Sequence, residues 1–507
     1  MHFTRLLVVS ASFLPFVPSA FGTTLPVRAD VVKRATRTQP LLKAFPGQDP
    51  LPSLQSVSSA NATNGTFLPL DNIQGDILVG MKKQKENFVF FQINNAAAFK
   101  TALKTYVPGT ITSAATLIAQ ATAQPLAFVN LAFSQSGLSA LGITDNLGDA
   151  LFSAGQFADA PTLGDDTTTW ESAFKGTGIH GVFLIGSDQD SFITTFQNNI
   201  TTQFGSSLTV LDTIQAAARP GDQAGHEHFG YLDGISNPAV SGFQDSPLPG
   251  QTVVDAGIIL TGRTGDSGVR PSWALDGSFM AFRKLHQLVP EFRKWTLDNA
   301  IQNTAGNLTV QEGADFLGAR MFGRWKSGAP IDLTPQVDDP ALGADPQRNN
   351  NFDFSHPGSS LSTDESFCPF AAHIRKTNPR ADLGDTNTVN HAIRSSTPYG
   401  PEVTDAESSS NTTTVDRGLA FVEYQSSIGN GFRFQQVNWV NNPGFPFGKT
   451  PTPGIDTVIG QATPRTANGL DPNDVTKSLT PPQFIIANGG EYFFVPSISA
   501  LTTVIAA

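Results

Sequence analysis

The chain has a single cysteine, Cys368, among 507 residues, so no intrachain disulfide forms and stability must come from core size rather than covalent staples. Charge is sparse as well. Only 15% of residues are Asp, Glu, Lys or Arg, with 32 Lys and Arg against 43 Asp and Glu, and no basic stripe occurs. Nucleic acid is excluded as a partner on this ground, since phosphate binding depends on clustered cations. Past the first residues no apolar run approaches the ~20 positions a membrane helix requires, so no membrane partner is expected. Tyr and Trp are scarce at five each against 38 Phe. The interior therefore reads as rich in phenylalanine, which is hard to oxidise, and the few oxidisable rings stand out.

What is present begins with "MHFTRLLVVSASFLPFVPSAFG", in which Arg5 precedes a short apolar run and small residues suited to signal peptidase. Residues 1–22 read as a secretion signal. Residues 23 to about 60 are rich in Pro, Ser, Ala and Thr and carry the dibasic pair Lys33-Arg34, which reads as a propeptide. The first 60 residues hold six Lys/Arg and two Asp/Glu, so their removal takes the formal charge from −11 to −15. N-x-Ser/Thr sequons at Asn61, Asn64, Asn199, Asn307 and Asn411 fit a secreted, extracellular glycoprotein.

Globular patterning starts near residue 68. Strand-like stretches at 86–94, 126–134, 181–187 and 208–217 enclose helix-like spacing at 95–107 and 188–204, giving the order β-α-β-β-α-β of a split βαβ, ferredoxin-like unit. A similar rhythm returns at 278–287 with the helical stretch after it, and at 418–425 followed by "SSIGNGFRFQQVNWV". The expected architecture is α+β: a ferredoxin-like domain at 61–220 and a second at 221–507, with antiparallel sheets and peripheral helices. The Pro/Gly/Asn/Asp-rich stretches 327–366 and 376–412 are long enough to mark functional loops.

Three places carry the candidate chemistry: Asp233 in "HFGYLDGISNP", His373 in "CPFAAHIRKTNPR", and Arg394 in "NHAIRSSTPYG". Taken singly, Asp233 reads as a turn residue bonding backbone N–H groups, His373 as a core histidine, and Arg394 as a surface cation. Cys368 is conceivable as a thiolate ligand. The pair His226 and His228 lacks the spacing of a metal site. Taken together, with His373 at 140 residues beyond Asp233, Arg394 at 21 beyond His373, and "PGIDTVIGQ" further on, the chain resembles the dye-decolorizing peroxidases of the secreted fungal type. The resemblance runs from "LPLDNIQGDIL" at 68–78 to the C-terminus.

The resemblance implies one haem b per chain, bound mainly by the C-terminal domain, with hydrogen peroxide and aromatic reductants such as dyes and phenols as substrates, oxidised in one-electron steps. It makes His373 the axial ligand of the iron, Asp233 and Arg394 the distal pair, and Asp456 the acceptor for the other ring N–H of His373. Arg375 is expected as a haem-propionate partner and Phe370, with Phe367 and Phe229, as apolar lining. Trp439 and Tyr399 match positions that resemble radical relay sites near the surface; plain packing is the other reading of both. An aspartate as distal base, with an ordinary pKa of about 3.9 against about 6.5 for His, implies turnover favoured by acid. A monomer is favoured.

Two other readings stay open on the sequence. A secreted acid hydrolase predicts no haem absorption and a second essential acid beside Asp233. A haem-binding or iron-releasing protein on the same fold keeps the His373 ligand but turns over peroxide weakly. A Soret band separates the hydrolase from the other two, and rapid oxidation by peroxide separates those.

Overall fold

Hydrophobic alternation sets the first half. In the computed structural model, which describes residues 37–507 except 65, 66 and 245, strands β1 (Lys85–Ile93), β2 (Phe128–Phe133), β3 (Gly181–Ser187) and β4 (Leu208–Ala217) frame two main helices. The helix Ala96–Tyr106 follows β1; the Asn95 side chain accepts from Ala98 N at its start, and Phe99, Ala102, Leu103 and Tyr106 bury one face. The helix Asp190–Phe204 follows β3 and buries Ile193, Phe196, Ile200 and Phe204 at the same spacing. The strands pair antiparallel in the order β4-β1-β3-β2, that of a split βαβ unit.

The second half repeats this plan with one strand broken. A small parallel pair, β5 (Ala239–Val240) and β6 (Val253–Val254), stands apart. Strands β7 (Ser278–Gln287), β8 (Ile393–Arg394), β9 (Thr397–Tyr399), β10 (Gly418–Gln425) and β11 (Ile485–Val495) then pair in the order β11-β7-β10, with both β8 and β9 on the far side of β10. Helices Val289–Asp298 and Val310–Phe322 follow β7. Only Phe432–Val440 of the expected helix after β10 is helical, because Gly429 and Gly431 interrupt its first turns.

The halves are not separate bodies. β2 meets β11 at Phe133 and Phe494, and β4 meets β9 at Ala216 and Tyr399, so the two sheets join into one closed ring. Phenylalanines fill it: the ring of Phe90 lies 4.9 Å from that of Phe282 and 6.3 Å from that of Phe493, and Phe88 lies 5.2 Å from Phe282. Each buried ring of this kind is worth roughly 1.5–3 kcal/mol, and these bridge the halves. Residues 37–507 accordingly form one compact unit.

The expected signal peptide at 1–22 and the expected propeptide as far as residue 36 lie outside the described residues. From Arg37 onward the segment lies against the body, with Leu41, Leu42 and Val57 buried. Among the described residues no helix is long and apolar enough to cross a membrane.

Candidate functional site

Asp233 stands on a loop held from behind by a buried carboxylate. Glu227 accepts from the N–H groups of Phe229 and Tyr231, both at 2.9 Å, and from Gln287 Nε2 at 2.5 Å. Tyr231 stacks on Phe322 with ring centres 3.7 Å apart. The chain then turns through Gly230 at φ +99° and Gly234 at φ +83°, conformations that side-chain-bearing residues resist. This is how the two glycines of "GYLDG" bring a carboxylate to the wall of a cavity. Asp233 Oδ1 accepts from Gly234 N at 2.7 Å and from Arg394 Nη1 at 2.5 Å.

Arg394 arrives on β8, opposite Glu423 of β10. Asn237 grips its backbone twice, accepting from Arg394 N at 3.0 Å and donating to Arg394 O at 3.1 Å. Its Nη2 donates to Ile235 O at 3.0 Å. Burial alone would raise the Asp233 carboxyl, but the Arg394 charge, its hydrogen bond and the Gly234 N–H outweigh burial and hold it below the ordinary 3.8. The charge of Asp233 in turn offsets the burial of Arg394 and leaves that guanidinium above its usual range.

His373 opens the short helix His373–Thr377. Its Nδ1–H donates to Asp456 Oδ2 at 2.7 Å, and Asp456 Oδ1 accepts from Val458 N at 2.8 Å and Ile459 N at 3.0 Å. These three donors keep the fully buried Asp456 charged against the burial that opposes it. A carboxylate cannot donate, so the proton sits on Nδ1 and Nε2 is the nitrogen offered to a ligand. Lys376, three residues on, donates to the carbonyls of Asn442, Phe445 and Gly454 at 2.8, 2.7 and 2.6 Å, which fastens the helix to the loop that carries Asp456.

Asp233, Arg394 and His373 line one large open cavity, and every lining residue lies at or beyond Glu227. Its apolar wall includes Leu232, Leu285, Phe322, Leu419 and Phe421. Three further guanidiniums line it; Arg283 is held by Asp165 through two 2.8 Å hydrogen bonds, which leaves Arg324 and Arg380. Among the described residues they bond to carbonyls and amides rather than to a carboxylate: Arg380 Nη1 donates to Phe352 O at 2.6 Å, and Arg324 Nη1 to Asn349 O at 2.6 Å. Burial lowers Arg380 to about 10 and Arg324 to about 9. Asn378 Oδ1 and His391 Nε2, on residues lining the same cavity, are buried without a hydrogen-bond partner. An imidazole braced by a carboxylate at His373, an apolar wall and two cations without a carboxylate partner fit haem, which needs an axial base, a dry pocket and partners for its carboxylates.

Several expected positions need correction. Arg375 is not at the cavity: its Nε and Nη2 hold Asp382 at 2.8 and 3.0 Å, its Nη1 donates to Cys368 O at 2.6 Å, and the rings of Phe354 and Phe370 flank it. Two residues along a helix is about 200° around it, so Arg375 points away from the side that His373 presents. Arg380, the last residue of the same "HIRKTNPR" motif, is the one that reaches the cavity. Phe370 packs on Arg375 and Lys449, Phe367 stacks on His356 and Phe229 packs on Phe292; none lines the cavity. Cys368 is fully buried away from the cavity, its thiol pushed up by burial, and serves as no ligand.

Neither oxidisable ring is on the surface. Trp439 is 3% exposed, lines the cavity and stacks on Phe445, whose other neighbour is the 62% exposed Phe447. Tyr399 is 5% exposed, lies off the cavity and donates its hydroxyl to Asp416 at 3.0 Å. Arg324 and Glu423 were not signalled by the sequence. Glu423 lines the cavity, takes a hydrogen bond from Gln435 Nε2 at 3.2 Å, and is raised by burial to about 7.

Comparison with known proteins identifies relatives of the whole chain. The family described as "DyP dimeric alpha+beta barrel domain" matches residues 72–220. The dye-decolorizing peroxidase AauDyP1 of Auricularia auricula-judae is 55% identical over 476 residues, covering 92% of this chain and 91% of that one. Peroxidase 2 of Mycetinis scorodonius is 52% identical over 98% of this chain and 97% of its own. Among solved structures, a dye-decolorizing peroxidase in complex with 2,6-dimethoxyphenol is 67% identical with a TM-score of 0.85, over 87% of this chain and all of that one.

Proposed function

The chain belongs to the dye-decolorizing peroxidase family, of the fungal type, and is a haem peroxidase acting on dyes and phenols; from that premise we propose how its own residues divide the work. His373 Nε2 holds the iron of one haem b per chain, and Asp456 keeps that imidazole oriented and basic through Nδ1. Arg324 and Arg380 would pair with the haem carboxylates, supplying the negative partner that their bonds to carbonyls, amides and a hydroxyl do not. The chemistry supplied by the bound haem is the two-electron reduction of hydrogen peroxide to water, repaid by two one-electron oxidations of aromatic donors.

Asp233 moves the proton. Its carboxylate would accept a proton from hydrogen peroxide and return it to the oxygen that leaves as water. Arg394 keeps Asp233 ionised and offers N–H donors to the charge that develops as the O–O bond parts. The observation that carries this reading is the 2.5 Å contact between Asp233 Oδ1 and Arg394 Nη1 on the wall of the cavity that His373 also lines. Because Asp233 stays ionised in acid, turnover favours low pH. Bulky dyes do not enter a lined cavity of this kind, so Trp439 and Tyr399 relay electrons for them, Tyr399 giving its phenolic proton to Asp416.

The protein acts outside the cell as a glycosylated monomer, released by a signal peptide at 1–22 and a propeptide, with ferredoxin-like units at 61–220 and 221–507. The deciding experiment is an absorption spectrum of the purified protein before and after one equivalent of hydrogen peroxide. A Soret band that converts at once to a two-equivalent oxidised spectrum is expected; a band without conversion would favour a haem carrier, and no band would refute the assignment.

A further inference from the structure

Asp233 borders a second, much smaller cavity, and part of its wall comes from far upstream in the chain. Phe45 and Gln48 line it together with Met81, His226, Asp233 and Leu419. The segment that carries them lies wholly before residue 72, where the family match begins, and within the stretch expected to be removed as a propeptide.

The seating is specific. Gln48 Nε2 donates to the carbonyl of Asp233 at 2.9 Å, while Gln48 Oε1 accepts from Phe45 N at 3.0 Å, so the amide has one orientation. Lys43 N donates to Lys82 O at 2.9 Å, Leu41 N to Gln124 Oε1 at 2.8 Å, and Asn349 Nδ2 to Gly47 O at 2.8 Å. Leu41, Leu42 and Phe45 are buried. Two glycines of the body leave the space the segment fills: a Cβ at Gly234 would stand 2.7 Å from Gln48 Nε2, and one at Gly225 2.9 Å from Phe45 Cβ. Downstream the segment is tethered by the helix Leu54–Asn64, whose first residues are largely exposed.

We propose that Leu41–Asp49 is a removable intramolecular plug: while attached it closes a side entrance through which hydrogen peroxide reaches Asp233, and its excision opens that route. The proposal rests on Asp233 as the acid–base group. A gap this narrow beside Asp233, once its Phe45 and Gln48 wall is withdrawn, would pass a molecule little larger than water and exclude dyes, so the plug governs the first half of the cycle and leaves oxidation of the aromatic donor alone.

The test uses the full-length holoenzyme with an engineered protease site in the 58–64 region, assayed before and after cutting, with loss of the segment verified by mass spectrometry of the repurified enzyme. The second-order rate of Soret conversion by hydrogen peroxide is expected to rise about tenfold on release, equivalent to one decade of barrier, while dye turnover at saturating peroxide stays constant. An uncut Phe45→Ala/Gln48→Ala double variant is expected to shift the peroxide rate the same way. A released enzyme that reacts at the uncut rate overturns the plug, and one that reacts more slowly would instead make the segment a support for the Asp233 loop. Absence of peroxide reaction in every form would fail the peroxidase assignment itself and is distinguishable from both.

Discussion

Arg394 holds both ends of the turn that carries its partner: Nη1 donates to the Asp233 carboxylate at 2.5 Å while Nη2 donates to the carbonyl of Ile235 at 3.0 Å, across 161 residues of sequence to the carboxylate. The fork ties charge and backbone position to one side chain, so losing it disturbs both.

Replacing Asp233 with Asn should reduce the peroxide reaction by ~10²–10⁴-fold with the Soret band retained. Arg394→Leu should cost ~10²-fold or more through lost charge stabilisation and also move the acid limb. With Arg394 present the carboxyl lies below 3.8, so the reaction persists at more acidic pH; without it burial acts unopposed and the limb moves toward neutrality. The stability the pair contributes is complete above 3.8 and is lost as pH falls through the lowered value. Stopped-flow rates between about pH 2.5 and 7 check both; an Asp233→Asn variant reacting at the parent rate in acid would refute the assignment.

Asp456→Asn leaves the shape of the His373 contact but removes its negative charge. The iron should become easier to reduce, raising the midpoint potential, and haem retention should fall by roughly 10–100-fold. Spectroelectrochemical titration beside a haem-release assay reads each.

Arg380→Ala and Arg324→Ala should weaken haem retention, since both guanidiniums face the cavity. Arg375→Ala should lower the melting temperature, because it leaves the buried Asp382 with Lys449 as its remaining cation and removes the donor to Cys368 O, while leaving haem affinity nearly unchanged once the protein is folded. Haem transfer to an apo-acceptor, measured alongside thermal unfolding, separates the arginines.

Burial raises Glu423 and Glu491 to about 7 in the folded chain, above the ordinary 4.5. Between those values the unfolded chain has released protons that the folded one retains, so stability declines as pH rises from about 4.5 to about 7 and then levels off. Thermal melts across this range should show the decline, and Glu423→Gln should flatten part of it.

Trp439→Ser should lower turnover of bulky dyes several-fold without changing the peroxide rate or the oxidation of small phenols. Tyr399→Phe tests the second relay in the same assay, with Asp416→Asn expected to mimic it if proton acceptance matters. Equal losses for small and bulky donors would point to pocket packing.

Local pattern made most of the first half legible. Strand β3 at Gly181–Ser187 lies where its short apolar run places it, buried along its whole length, and strand β4 at Leu208–Ala217 lies where expected with its residues only partly buried. Strand β11 was hidden, since "ANGGEY" reads as a turn; the register instead shifts between Ala487 and Gly489, and a Cβ at Gly490 would stand 2.6 Å from Phe282 O. The site was legible through the motif residues Asp233, His373, Arg394 and Asp456, which meet in space. Which arginine of "HIRKTNPR" faces the cavity was not, because that depends on where a five-residue helix ends. Arg324 carried no signal at all; it matters only through its neighbours in the fold.

Ring closure pairs the outer strands of the two halves with each other. Each half taken alone would present two strand margins, β2 and β4 in the first and β11 and β9 in the second, which in the intact chain are capped by one another. Fragments split near residue 220 should therefore be sticky and insoluble when made singly and reconstitute when made together, and two chains exchanging halves would satisfy the same four margins. Folding fidelity in this protein is thus a matter of each half finding its own partner before it finds a neighbour's.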